Sequence, residues 1–110
     1  MKKALALIAL CAVSHMTRAS EFTSQFKISA TMVYEANNMM FRVYGMPAMS
    51  SCPGNAWAYI NEDDSGAKTK ISTLLSAAAA GKTVVLDVAP VNFYNNGAYY
   101  CQIYSVTVLY

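Results

Sequence analysis

Between residues 26 and 35 the chain alternates. Ile28, Ala30, Met32 and Tyr34 fall on one side, and Lys27, Ser29, Thr31, Val33 and Glu35 on the other. Period two with β-branched residues predicts a strand. Ala36-Asn37-Asn38 follows as a turn signal, and residues 39–44 (MMFRVY) predict a second strand, the hairpin partner of the first. Residues 45–55, with Pro47, Ser50, Ser51, Pro53 and Gly54, read as a loop. Residues 56–61 (AWAYIN) predict a third strand, with Trp57 and Tyr59 on one face and Ala58 and Ile60 on the other.

The period then changes. Ala67, Ile71, Leu74, Leu75 and Ala78 form a helical stripe expected to pack inward, against Lys68, Lys70 and Thr73 outside. Glu62-Asp63-Asp64-Ser65 offers N-cap candidates and negative charge where a helix dipole favours it. Gly81, beside Lys82, suits the position just past the helix end. A fourth strand is predicted over 83–89 (TVVLDVA) and a loop over 90–97, whose Asn96-Gly97 step favours positive φ. Residues 98–109 (AYYCQIYSVTVL) complete the pattern as a last strand. The expected fold is therefore mainly β with one helix, in the order β-β-β-α-β-β. That is the element order of the OB-fold, a five-stranded, partly open barrel with its helix between strands three and four.

The N-terminus stands apart from this pattern. Lys2 and Lys3 precede ten uncharged residues, 4–13, and Thr17-Arg18-Ala19 places small residues at −3 and −1 of a cleavage site. This is the layout of a secretory signal peptide over 1–19, leaving one domain over 20–110. Ten apolar residues are too few to span a bilayer core, which needs about twenty. Export to the periplasm or the extracellular space follows, with no membrane span. Removal of 1–19 takes away Lys2, Lys3 and Arg18, leaving five basic side chains (Lys27, Arg42, Lys68, Lys70, Lys82) against six acidic ones, a net charge of −1. The basic balance of the whole chain thus belongs to the leader. No basic cluster remains to neutralise phosphates, which argues against nucleic-acid binding. Cys52 and Cys101 remain as an even pair in an oxidising compartment, and are expected to form one disulfide.

Candidate chemistry is sparse. The only histidine, His15, lies in the leader, so no serine or cysteine of the exported part has a histidine base. The acidic run 62–64 does not follow the alternate-oxygen spacing of a calcium loop, and a helix cap accounts for it more simply. No metal site, no cofactor and no enzymatic activity are expected. Aromatic content is more suggestive: eight Tyr accompany Trp57. A ring with a polar tip suits contacts with sugars and protein surfaces. The candidate binding residues are Trp57 and Tyr59 on the third strand and Phe93, Tyr94, Asn95 and Asn96 in the loop before the last strand.

The stretch from Lys70 to Leu109 resembles the B-subunits of Shiga-type toxins. Leu74-Leu75-Ser76-Ala77, then Gly81, then Thr83-Val84 match a helix ending, a glycine and an alternating Thr/Val strand of that family. More loosely, the chain is similar to the wider group of pentameric toxin B-subunits with OB-folds. The position of Cys52 departs from the Shiga-type pattern, whose first cysteine lies near the mature N-terminus. None of that family's glycan-contacting residues is matched position by position. The resemblance implies a non-catalytic module that binds a glycan or a protein receptor and assembles as a homo-oligomeric ring. The alternative expectation is a monomeric periplasmic OB-fold protein with a structural or inhibitor-type role.

Overall fold

The computed structural model describes residues 20–53 and 56–110; the predicted signal peptide lies outside the described residues. The elements run β1 (Glu21–Phe22), β2 (Phe26–Lys27), β3 (Ala30–Val33), β4 (Phe41–Tyr44), β5 (Trp57–Ile60), α1 (Ala67–Ala79), β6 (Thr83–Val91) and β7 (Tyr100–Leu109). They form an open, mixed seven-stranded sheet with one helix. The order is β1-β6-β7-β5-β4-β3, with β2 also on β6. All pairings are antiparallel except β5 with β7. No helix among the described residues is long and apolar enough to cross a membrane.

The N-terminal run differs from the single strand expected over 26–35. Phe26 and Lys27 pair with Val84 and Thr83 of β6, whereas Ala30 to Val33 pair with β4. One segment serves two partners, so it bends between Lys27 and Ala30. Gly45 makes room for the bend. It sits at φ 104°, and a Cβ there would lie 2.8 Å from Ser29 Oγ and 2.9 Å from Ser29 N. Across this gap the Ser29 amide donates to the Tyr44 carbonyl at 3.0 Å. The described strands form an open sheet of seven, where the element order had suggested a five-stranded, partly open barrel.

The core lies on one side of the sheet. Phe41 and Val43 of β4, Ala58 and Ile60 of β5, Val84, Leu86 and Val88 of β6, and Cys101 and Ile103 of β7 are buried together with Leu74 and Ala77 of α1. A bulge refines this pattern in β7. Asp87 pairs with Ser105 and Val88 with Ile103, leaving Tyr104 as the extra residue. The inward set consequently shifts from odd positions (Cys101, Ile103) to even ones (Val106, Val108), while β6 keeps even positions throughout. Cys52 and Cys101, both fully buried, form the expected disulfide, with Cα atoms 5.8 Å apart. It ties the loop before β5 to the start of β7.

Two features of α1 correct the expectation. The N-cap is Gly66 in the left-handed region, with no side-chain cap and no acid in the first turn. Asp64 works elsewhere, as described below. The inward stripe is also narrower than expected: Leu74 is fully buried, Ile71 half-buried, and Leu75 45% exposed. The C-terminus ends as expected. Gly81 has φ 66°, its amide donates to the Ala78 carbonyl at 3.2 Å, and the Lys82 amide donates to the Ala77 carbonyl at 2.9 Å. These are the two bonds of a Schellman ending.

Candidate functional site

The face of the sheet opposite the core collects rings and one guanidinium. In the antiparallel register Tyr44 lies across from Trp57 and Arg42 across from Tyr59. Parallel pairing sets Tyr59 beside Gln102, which brings Tyr100 onto the same face. On the far side Met32 of β3 is opposite Arg42. Alternation along each strand thus sends Phe41, Val43, Ala58 and Ile60 into the core and turns Arg42, Tyr44, Trp57 and Tyr59 to the opposite face.

The rings touch in a continuous line. Tyr44 and Trp57 have centroids 6.1 Å apart, Trp57 and Tyr100 5.4 Å, Tyr100 and Tyr94 5.9 Å, and Tyr94 and Phe93 5.0 Å. The last two contacts are edge-to-face, an arrangement favoured by the ring quadrupoles. The line runs from β4 across β5 and β7 into the loop between β6 and β7. Arg42 joins it from the side, its guanidinium carbon 4.7 Å from the Trp57 centroid and 4.8 Å from that of Tyr34.

A chain of hydrogen bonds fixes the edge of this face. Gln102 Nε2 donates to Asp64 Oδ2 at 3.0 Å, and the same oxygen accepts the Asn61 amide at 2.9 Å. Asn61 Nδ2 donates to Asp64 Oδ1 at 3.1 Å, and Asn61 Oδ1 accepts the Met39 amide at 2.8 Å. Met39 is buried and holds φ 53°, a left-handed conformation uncommon for a side chain of its size. Its carbonyl accepts from Arg42 Nε at 3.1 Å. The acidic run read from sequence as a helix cap thus contributes Asp64 as the centre of this network instead.

The sequence-predicted residues divide. Trp57 stands at the middle of the ring line, and Phe93 and Tyr94 at its end, with Tyr94 60% exposed. Tyr59 shares the face by register and is only 1% exposed. Asn95 and Asn96 are exposed on the loop. Asn95 adopts φ 54°, and Asn96 Oδ1 accepts the Ala98 amide at 3.0 Å, so Asn96 shapes the turn. Arg42, Tyr34, Tyr44 and Tyr100 escaped the sequence reading. The signal for Arg42 and Tyr44 was their alternation with Phe41 and Val43, joined to the pairing of the second and third strands.

Among the described residues, no group of three or more His, Cys, Asp or Glu side chains converges as a metal site. No family model, no curated protein and no solved structure matches the chain.

Proposed function

We propose that the chain is an exported, non-catalytic carbohydrate-binding module of the toxin-B-subunit kind, with its ligand on the outer face of β4, β5 and β7. The observation that carries this reading is the unbroken line of Tyr44, Trp57, Tyr100, Tyr94 and Phe93. Rings set side by side stack on the apolar faces of sugars, while amides such as Gln102 at the margin pair with hydroxyls. A line of five rings crossing three strands and a loop is longer than one sugar, which suits an extended oligosaccharide better than a small metabolite.

The fold reading belongs to the same proposal. Residues 21–33, meeting β6 at one end and β4 at the other, act as a single bent first strand, and β5 with β7 supplies the parallel pair. This favours an OB-like arrangement, in which the outer face of strands two and three and the loop between strands four and five form the usual site. Ring assembly is supported by β3. It ends the sheet, and all four of its residues are exposed, the large apolar Met32 and Val33 among them. An exposed apolar edge invites pairing with another chain.

A second reading, recognition of a protein receptor, is favoured by residue type, because Trp, Tyr and Arg dominate protein–protein hot spots. A glycan array probed with wild-type protein and with Trp57→Ala/Tyr94→Ala separates the readings. Selective glycan binding lost in the double variant supports the first. A blank array with a protein captured through the same face supports the second. Sedimentation of the same sample distinguishes a ring from the monomeric structural or inhibitor-type alternative.

A further inference from the structure

Arg42 is held with unusual care for a residue on an outer face. Two rings lie against its guanidinium, Tyr34 at 4.8 Å and Trp57 at 4.7 Å. Its Nε is spent on the Met39 carbonyl. That carbonyl is aimed by a left-handed Met39, itself fixed by Asn61 and, through Asn61, by Asp64 and Gln102. Among the described residues no carboxylate makes an ion pair with it, and its one side-chain bond described is from Nε, not from the terminal nitrogens of the fork.

We propose that Arg42 is an anion-recognition residue, pairing with an acidic group of the bound glycan (a carboxylate or a sulfate ester) while the rest of that glycan lies along the ring line. The inference rests on the glycan-binding reading above and adds the charge of the ligand. Its chemistry follows from the geometry. A stacked guanidinium is partly stripped of water and fixed in rotamer, so less freedom is lost when its planar fork meets two oxygens. The position next to Trp57 lets one sugar stack while its neighbour's acidic group reaches the fork. A peptide carboxylate fits less well. An extended peptide takes its backbone hydrogen bonds from a sheet edge, and Arg42 lies on a face inside the sheet, between β3 and β5. Asn61 and Asp64 are positioning residues here, acting through Met39.

The test compares three probes on the wild-type protein by calorimetry: an oligosaccharide ending in glucose, its glucuronate counterpart and its 6-sulfated counterpart. At least one acidic probe is expected to bind about 10-fold to 100-fold more tightly than the neutral one, the range for a hydrogen-bonded charged pair. That preference should shrink as salt is raised. Which acidic probe wins identifies the anion. Arg42→Gln should abolish the preference, read as the ratio of acidic to neutral affinity, and Arg42→Lys should fall well short of wild type because it lacks the fork. The wild-type comparison stands even if a variant fails to fold. Equal binding of all three probes overturns the anion inference and leaves the glycan reading intact. No binding of any probe, together with binding of an acidic peptide, overturns both.

Discussion

The sharpest stability prediction concerns two adjacent leucines. Leu74 is fully buried among the core residues, whereas Leu75 is 45% exposed. Leu74→Ala removes the burial of a whole side chain and leaves a cavity between α1 and the sheet, a loss of about 2–5 kcal/mol. Leu75→Ala removes only part of a leucine's burial and opens no enclosed void, so about 0.5–1 kcal/mol is expected. A domain of this size holds roughly 5–10 kcal/mol in total, so the first change takes a large fraction of it. In urea, with a slope of about 1 kcal/mol per molar, the midpoint should fall by about 2–5 M for Leu74→Ala and by no more than about 1 M for Leu75→Ala. Far-UV circular dichroism under urea reads both. Midpoint shifts of equal size would mean that the inward face of α1 is wrongly placed, and a larger shift for Leu75→Ala would reverse it.

Other expectations follow from single contacts. Gly45→Ala should cost more than about 1 kcal/mol, because φ 104° disfavours a side chain and the added Cβ meets Ser29 and the Lys27 carbonyl; a thermal melt unchanged from wild type would contradict this. Replacing Cys52 and Cys101 by Ala should lower stability by about 2–5 kcal/mol, the range for a bridge closing a loop of this length. Alkylation without reductant should find neither thiol free. Asn61→Ala strands the Met39 amide, and about 1–3 kcal/mol should be lost in urea titration, more than for the exposed Lys68→Ala. Tyr94→Ala should cut glycan binding at least about tenfold while changing stability by no more than about 0.5 kcal/mol, since Tyr94 is mostly exposed.

Much of the architecture was legible because it is local. The patterns at residues 39–44 and 56–61 located β4 and β5 and set Ala58 and Ile60 on the face opposite Trp57 and Tyr59. The glycine at 81 marked the end of α1. What escaped is non-local. The break at Ile28-Ser29 exists because two different strands claim the same segment, and no pattern within that segment announces it. The bulge at Tyr104 lies in an otherwise regular run and is set by pairing with β6. Asp64 looked like a cap by its place before a helix, but Gln102, 38 residues away in sequence, gives it another role. The same holds for the site. Trp57 was visible as an aromatic on the third strand and Phe93 and Tyr94 as aromatics in a loop, whereas the contribution of Arg42, Tyr34, Tyr44 and Tyr100 depends on which strands lie side by side. Tyr59 was chosen for its type and its face, and its burial under that face was not legible from the pattern.

Trp57 is the only tryptophan in the sequence and stands at the centre of the proposed binding face. Its emission therefore reports on that face alone. Titration of the protein with a glycan retained on the array should change the intensity or wavelength of Trp57 fluorescence saturably, with the same dissociation constant that calorimetry gives. Calorimetric binding that leaves Trp57 emission untouched would place the ligand elsewhere on the molecule and contradict the account.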